Sequence, residues 1–149
     1  MKKTITILGS TGSIGKSTID IILKNKSNFN VLLLVANKNY KTLYKQAIKL
    51  NSKYIYINDK SKIKKLEKLI NNKKIKIIYD FDHISKIFKK KTDITMSAVS
   101  GIDGLKYNLM IIKHTKKLLL ANKESIICGW NLIKKQLIKN KTNYQPVDS

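Results

Sequence analysis

Arginine is absent from this sequence: all 31 basic residues are lysines, and with only nine acidic residues the formal net charge is +22. A chain this basic is a candidate for binding nucleic acid through phosphate contacts. Arginine, however, makes most specific contacts to guanine edges and the bidentate contacts to phosphate. Because arginine is missing and the lysines are spread along the chain, we interpret them as solvated surface positions and expect no nucleic-acid partner.

Cysteine, proline and long apolar runs are also scarce. The single cysteine, Cys128, cannot form a disulfide within the chain, which favours a reducing, cytoplasmic setting. No run of about 18 apolar residues occurs, so we expect no membrane span. The N-terminus enters a glycine-rich turn almost at once, without the successive regions of a secretory signal. The length and the absence of a linker-like stretch predict one domain over residues 1–149.

Short apolar runs alternate with stretches of helical periodicity. The predicted strands are Thr4–Leu8, Val31–Ala36, Tyr54–Ile57, Ile75–Tyr79, Ile94–Ala98, Leu118–Ala121 and Tyr144–Val147. The predicted helices are Ser13–Lys24, Tyr40–Leu50, a helix to Ile70 capped by Asp59 or Ser61, Asp82–Lys89, Leu105–His114 and Ser125–Ile138. This alternation predicts right-handed crossovers and an α/β fold, with a doubly wound, mostly parallel Rossmann-like sheet that has helices on both faces.

A glycine-rich turn, Gly9-Ser-Thr-Gly12-Ser-Ile-Gly15, joins the first predicted strand to the first predicted helix. In a dinucleotide-binding turn the first glycine allows the tight bend and the second lets the backbone approach a pyrophosphate. The third allows the helix to pack closely on the strand. The helix N-terminus adds unpaired N–H groups and a partial positive charge. The turn therefore predicts a dinucleotide site, and a glycine-rich turn without a ligand remains the alternative.

The end of the second predicted strand bears on the choice of cofactor. Sites that prefer NAD usually place Asp or Glu there to bind the ribose 2′-hydroxyl. This sequence has Asn37-Lys38-Asn39 instead, with no carboxylate. Lys38 can pair with a 2′-phosphate and Asn39 can donate hydrogen bonds to it, so NADP is the better candidate. The alternative is that Lys38 is one more surface lysine.

Four segments together resemble the 1-deoxy-D-xylulose 5-phosphate reductoisomerase family, in that family's order: Ile5–Thr18, Ser97–Leu105, Leu120–Ser125 and Pro146–Ser149. The resemblance implies an enzyme of non-mevalonate isoprenoid biosynthesis. Such an enzyme rearranges 1-deoxy-D-xylulose 5-phosphate and reduces the product with NADPH to 2-C-methyl-D-erythritol 4-phosphate. A divalent cation (Mg, Mn or Co) binds the substrate, and a homodimer is implied for the complete enzyme. Because only the family's N-terminal cofactor region is matched, we expect a fragment that lacks the catalytic and C-terminal domains and is inactive alone.

The resemblance also assigns roles to individual positions. It implies cofactor contacts from Thr11, Gly12, Ser13, Ile14, Asn37, Lys38, Asn39, Asn122 and Glu124. It further implies substrate contacts from Lys123 and Ser149 and a metal ligand at Asp148, and it assigns no catalytic residue. At Asn37 many relatives have glycine. All these positions follow predicted strands, so we expect them at the one edge where open parallel sheets bind ligands.

Two other functional classes remain open. One is a different NADP-dependent reductase or epimerase, but such enzymes usually carry a Tyr-x-x-x-Lys pair, which the segments Tyr40–Lys45 and Tyr107–Ile111 do not supply. The other is a non-catalytic nucleotide-binding module. Both histidines, His83 and His114, lie among lysines and are predicted to be exposed.

Overall fold

The computed structural model describes residues 1–71 and 74–147, and within these residues seven strands form one sheet. The strands are β1 (Lys3–Leu8), β2 (Phe29–Ala36), β3 (Tyr54–Ile57), β4 (Lys76–Ile78), β5 (Thr92–Ser97), β6 (Thr115–Leu120) and β7 (Asn143–Pro146). Each neighbouring pair is parallel, and the order across the sheet is β4-β3-β2-β1-β5-β6-β7. The order reverses at β1, so the sheet is doubly wound, as predicted.

Helices cover both faces of the sheet. In the described residues the α-helices are α1 (Ser13–Lys24), α2 (Tyr40–Leu50), α3 (Ile63–Leu69), α4 (Ile102–Ile111), α5 (Lys123–Ile127) and α6 (Trp130–Lys139). Alternate residues of a strand point to opposite faces. Ile7 therefore packs in a core with α1, α2 and α3, whereas Leu8 packs in a second core with α4 and α6. None of the helices in the described part of the chain is both long and apolar enough to cross a membrane.

The predicted helix Ser125–Ile138 is in fact two helices, because α5 ends at Ile127 and α6 begins at Trp130. The break is at Gly129, where an added Cβ would lie 2.7 Å from Leu105 Cδ2 and closer still to Cδ1. The side chain of Leu105, on α4, thus occupies the space that a larger residue would need. Glycine also has low helix propensity. The helix therefore breaks at Gly129, where Leu105 of α4 packs against the backbone.

The predicted helix Asp82–Lys89 is a 3₁₀ helix over Phe81–Ile87, with non-helical geometry at His83 (φ −96°, ψ 15°). Phe81 and Ile84 are its buried residues, three positions apart. A spacing of three matches the 3.0 residues per turn of a 3₁₀ helix. Burial of these two residues therefore fits the tighter helix. The sequence alone did not distinguish it, because residues three apart also share a face of an α-helix.

The expected exposure of both histidines is wrong for His114. This residue is half-buried, and its ring stacks on Phe88 with centroids 4.6 Å apart and an interplanar angle of 8°. Burial, and then the charges of Lys113 and Lys91, lower the pKa of His114 from 6.5 to about 4. His114 is therefore neutral at physiological pH. His83, by contrast, is exposed as predicted.

Candidate cofactor-binding site

A cleft of about 240 Å³ opens at the point where the strand order reverses. Its walls come from the carboxyl ends of β1, β2, β3 and β5 and from α4. The lining residues are Gly9, Gly12, Val35, Ala36, Asn37, Asn58, Ala98, Val99, Ser100, Asp103 and Tyr107. Open α/β sheets bind ligands at such a switch point, so the structure brings the glycine turn and the end of β2 together as the sequence predicted.

Two glycines of the turn are required by the packing of the protein itself. Gly9 has φ +83°, and a Cβ there would lie 2.7 Å from the carbonyl oxygen of Ala98. A Cβ on Gly15 would lie 2.7 Å from the Cα and carbonyl carbon of Ser10, and closer to the Gly9 oxygen. Because these are backbone atoms, a side chain cannot be accommodated by a rotamer change. The predicted role of the first glycine, a tight bend, is confirmed. Gly15 does allow α1 to pack closely, but against the turn that follows β1 and not against the strand itself.

Gly12 is different, because nothing in the protein requires it to be glycine. A Cβ on Gly12 would meet only the Gly9 oxygen, at 3.7 Å, which is an ordinary contact. The residue is exposed, has φ −80° and ψ 178°, and is the N-cap of α1. With no side chain at the cap, the first N–H groups of α1, including those of Ser13 and Ile14, remain available to a ligand. Gly12 thus leaves open space at the positive end of a helix, which suits a pyrophosphate.

Three exposed residues, Asn37, Lys38 and Asn39, follow β2 at the rim of the cleft. Asn39 caps α2, since its Oδ1 accepts a hydrogen bond from the N–H of Thr42 at 3.2 Å. Its Nδ2 group is left to donate outward. Asn37 makes its side-chain contact to Asn58, at the end of β3. This rim is rich in donors, as a phosphate site requires.

Asn58 and Tyr107 line the cleft but were not predicted as site residues. Asn58 directly follows β3, and Tyr107 comes from α4 across the sheet. The Tyr107 hydroxyl donates to Asn58 Oδ1 at 2.9 Å, and Asn58 Nδ2 donates to Asn37 Oδ1 at 3.1 Å. The position of Asn58 at the carboxyl end of a predicted strand was a signal available in the sequence. Tyr107 lies in the middle of a helix, and only the packing of α4 brings it to the cleft.

Asn122 is 2% exposed, and its side chain is engaged within the protein. Its Nδ2 donates to the carbonyl oxygens of Val99 at 2.7 Å and Gly101 at 3.0 Å. Its Oδ1 accepts from the N–H of Ser125 at 2.7 Å and from the Ser125 hydroxyl at 2.5 Å. Asn122 therefore caps α5 and fixes the loop between β5 and α4. Its contact with a cofactor stays a prediction, and the loop that it holds forms one wall of the cleft.

Neighbouring residues depend on the position of Asn122. A Cβ on Gly104 would lie 2.5 Å from Asn122 Nδ2, so glycine is needed at that position of α4. Asn108, which is fully buried, donates to the Ser125 hydroxyl at 2.8 Å. Glu124 is partly exposed, and its Oε2 lies 3.1 Å from Asn122 Nδ2. This polar group ties α4 and α5 to the same edge of the sheet.

Lys123 is exposed and borders a second cleft of about 350 Å³, which Asn122, Ile126, Pro146 and Val147 also line. The cleft lies between the ends of β6 and β7, at the same edge of the sheet as the first. This is a suitable place for the predicted substrate contact of Lys123. Asp148 and Ser149, the predicted metal ligand and substrate contact, lie outside the described residues.

The described residues contain neither a metal cluster nor an accessible Tyr-x-x-x-Lys pair. Within residues 1–71 and 74–147, no group of three or more His, Cys, Asp or Glu side chains is placed to hold a metal ion. Tyr56 and Lys60 have the Tyr-x-x-x-Lys spacing, which sequence reasoning overlooked. Tyr56 is buried, however, and Lys60 Nζ donates to the carbonyl oxygen of Tyr79 at 2.5 Å. Burial of the tyrosine hydroxyl is unsuited to proton transfer with a substrate in the cleft.

Fold and cleft together define a Rossmann-like dinucleotide-binding domain. Residues 5–129 match the family model described as 1-deoxy-D-xylulose 5-phosphate reductoisomerase. The chain belongs to the 1-deoxy-D-xylulose 5-phosphate reductoisomerase family, which confirms the resemblance found in the sequence.

Individual relatives support this assignment. A protein of that name from Pelagibacter ubique is 52% identical over 149 residues, which cover 99% of this chain and 38% of the relative. The solved structure of the enzyme from Zymomonas mobilis in complex with NADPH matches with a TM-score of 0.91 and 35% identity, over 100% of this chain and 39% of that one. A second solved structure, in complex with NADPH, fosmidomycin and magnesium, has a TM-score of 0.88 and 26% identity, over 99% of this chain and 36% of that one. The chain therefore spans less than two fifths of its relatives' length.

Proposed function

We propose that residues 1–149 are the NADPH-binding domain of an enzyme that converts 1-deoxy-D-xylulose 5-phosphate to 2-C-methyl-D-erythritol 4-phosphate. The reaction is a rearrangement followed by a reduction, as in non-mevalonate isoprenoid biosynthesis. The observation that carries the proposal is the open space at Gly12, where a Cβ would meet only one protein atom, at 3.7 Å. A glycine that the protein does not need is best explained by a ligand that approaches the backbone.

The described residues fit a dinucleotide with a 2′-phosphate. The turn residues Thr11, Ser13 and Ile14 would hold the pyrophosphate through backbone N–H groups. Gly12, whose own N–H donates to the Gly9 oxygen, would give the pyrophosphate room to approach. Lys38 and the free Nδ2 group of Asn39 would bind the 2′-phosphate at the exposed rim. When bound, NADPH would supply the reducing equivalent for the second half of the reaction.

The substrate and metal parts of the proposal concern the second cleft. Lys123, exposed at its border, would pair with the phosphorylated substrate. Asp148 would be a ligand of a divalent cation (Mg, Mn or Co) and Ser149 a substrate contact. A hard cation of this kind prefers oxygen ligands such as carboxylates. When bound, the cation would act as a Lewis acid that polarises the substrate carbonyl.

The proposal extends to partners and location. By resemblance the complete enzyme would be a homodimer, and it would have neither a nucleic-acid partner nor a membrane partner. The absence of arginine and the spread of the lysines along the chain support the first exclusion. A cytoplasmic location is consistent with Cys128, a free and exposed thiol, because such thiols persist in reducing compartments.

The first experiment tests the cofactor. Calorimetric titration of the 149-residue chain at low salt should give tighter binding of NADPH than of NADH. Equal affinities, or no binding of either nucleotide, would contradict the assignment. Titration with duplex DNA at physiological salt is the control, since non-specific binding through lysines is lost as the salt concentration rises.

The second experiment tests the reaction. The chain is extended with the remaining region of the Pelagibacter ubique relative, and NADPH oxidation is followed by absorbance. Oxidation should require both 1-deoxy-D-xylulose 5-phosphate and a divalent cation. Asp148→Asn should lower kcat by about a hundredfold or more, since loss of an anionic ligand weakens Lewis-acid stabilisation worth several kcal/mol. Lys123→Ala should raise KM for the substrate more than KM for NADPH. A folded Asp148→Asn variant with parental activity would remove Asp148 from the site.

A further inference from the structure

A chain of hydrogen bonds crosses the mouth of the first cleft and ends on Asn37. The Tyr107 hydroxyl donates to Asn58 Oδ1, and Asn58 Nδ2 donates to Asn37 Oδ1. We propose that Asn58 and Tyr107 are positioning residues that set the 2′ specificity of the cofactor site by fixing which end of the Asn37 amide faces the ligand. This proposal rests on the NADPH-binding function proposed above.

Asn37 can face a ligand with either of the two ends of its side-chain amide. A side-chain amide has one oxygen, which accepts, and one NH₂ group, which donates. The Asn37 oxygen is engaged by Asn58 Nδ2 at 3.1 Å. The Asn37 NH₂ group is therefore the end that remains for a ligand at the exposed rim, beside Lys38.

The orientation of Asn58 is determined in turn by Tyr107. This tyrosine is 6% exposed, and its ring packs edge-on against Phe81 with centroids 4.6 Å apart. Burial, reinforced by the nearby Tyr56 hydroxyl, raises the pKa of Tyr107, so the hydroxyl keeps its proton and can donate. A donating hydroxyl attracts the oxygen of Asn58, which directs the Asn58 NH₂ group towards Asn37.

Backbone hydrogen bonds hold the two loops at the distance that this arrangement needs. The N–H of Asn58 donates to the carbonyl oxygen of Ala36 at 2.9 Å, and the N–H of Asp59 donates to that of Asn37 at 2.8 Å. The end of β3 is therefore tied to the end of β2 on both sides of the side-chain contact. Asn37 and Asn58 cannot drift apart without breaking these bonds.

The consequence is discrimination at the ribose 2′ position. Sites that prefer NAD use a carboxylate as an acceptor for the 2′-hydroxyl. A free Asn37 oxygen would offer NADH a similar acceptor and would face the lone pairs of a 2′-phosphate unfavourably. With that oxygen turned towards Asn58, Asn37 faces the ligand with its NH₂ group, which can donate to the oxygens of a 2′-phosphate. The hydrogen bonds from Tyr107 to Asn58 and from Asn58 to Asn37 thus favour NADPH, although Asn37 itself carries no charge.

The test compares dissociation constants for NADPH and NADH in variants of the 149-residue chain. Asn58→Leu removes the donor to Asn37, and Tyr107→Phe removes the group that orients Asn58. Each should lower the preference for NADPH over NADH about fivefold, the effect expected of one neutral hydrogen bond. Tyr79→Phe is the matched control, because the Tyr79 hydroxyl donates to Glu67 Oε1 at 2.8 Å on the exposed surface. It should leave the preference unchanged.

Asn58→Asp gives a result that loss of structure cannot imitate. A carboxylate can accept from both the Tyr107 hydroxyl and the Asn37 NH₂ group, so Asn37 should turn its oxygen towards the ligand. NADH affinity should then rise about twofold to fivefold. The added negative charge alone would weaken NADH binding through its pyrophosphate, so the sign of the change identifies the cause.

The outcomes separate this proposal from the function on which it rests. In one outcome the parent chain prefers NADPH while folded Asn58→Leu and Tyr107→Phe variants keep the full preference. That result would overturn the positioning role of Asn58 and Tyr107 but not the NADPH-binding function. Weaker NADH binding by Asn58→Asp would overturn that positioning role as well. A parent chain that does not prefer NADPH would overturn both proposals. Circular dichroism and thermal unfolding of each variant establish that it is folded.

Discussion

Alanine at Gly15 should affect stability and alanine at Gly12 should affect NADPH binding, because the two glycines are needed for different reasons. At Gly15 the new Cβ would lie 2.7 Å from two backbone atoms of Ser10, and closer to the Gly9 oxygen, so α1 or the turn must shift. At Gly12 the new Cβ would meet only the Gly9 oxygen, at 3.7 Å. We therefore expect Gly15→Ala to destabilise the fold, and Gly12→Ala to leave the fold intact while impairing NADPH binding.

The magnitudes follow from the geometry. Overpacking against backbone costs about 3 kcal/mol, and alanine recovers about 1 kcal/mol of helix propensity, so Gly15→Ala should lower the free energy of unfolding by about 2 kcal/mol. With a denaturant slope of about 2 kcal/mol/M, the urea midpoint should fall by about 1 M. At Gly12, alanine caps the helix less well, which lowers the free energy of unfolding, but it also reduces the entropy of the unfolded chain, which raises it. The two effects should cancel to within about 0.5 kcal/mol. NADPH affinity should nevertheless fall about tenfold or more, because the methyl group occupies the approach to the pyrophosphate.

Urea unfolding followed by circular dichroism measures the first effect, and calorimetric titration with NADPH measures the second. Ser17→Ala, an exposed change further along α1, is the control and should alter neither quantity. A Gly15→Ala chain as stable as the parent would refute the close packing of α1 on the turn. A stable Gly12→Ala chain with parental NADPH affinity would refute the placement of the pyrophosphate at this turn.

Three further predictions concern charge, burial and pH. Lys38→Glu should abolish or reverse the preference for NADPH in the same titration, although an exposed pair contributes only about 1 kcal/mol. Asn122→Ala should lower the free energy of unfolding by about 3 kcal/mol, because it leaves the buried Ser125 N–H and the Val99 carbonyl without their partner. His114 should make stability fall as the pH drops from about 6.5 to about 4, since the unfolded chain takes up the proton first. For this half-exposed ring the loss should be about 1–2 kcal/mol by urea unfolding, and His114→Phe should remove that part of the pH dependence.

Each of these predictions has a clear contrary outcome. Unchanged relative affinities in Lys38→Glu would mean that Lys38 is an ordinary surface lysine. Parental stability in Asn122→Ala would show that other groups hold the loop between β5 and α4. A pH profile that is the same with and without the His114 imidazole would show that this ring keeps an ordinary pKa in the folded chain.

Much of the fold was predictable because its local patterns are strong. The apolar run at Val31–Ala36 and the period of Ser13–Lys24 leave few alternatives, and strand–helix alternation implies parallel crossovers. The helices beyond residue 80 were less predictable. The break at Gly129 depends on Leu105, a residue distant in sequence, and the 3₁₀ geometry of Phe81–Ile87 depends on which of its residues become buried.

For the candidate site, sequence alone was enough to locate the glycine turn and the Asn37–Asn39 segment. Both follow strands, and chemical type and spacing carry their meaning without knowledge of any long-range contact. Only the tertiary structure brought Tyr107 to Asn58 and engaged the Asn122 side chain in the loop after β5. These contacts join elements 20 to 50 residues apart, and the partners of a polar side chain depend on which helices pack over which strand ends.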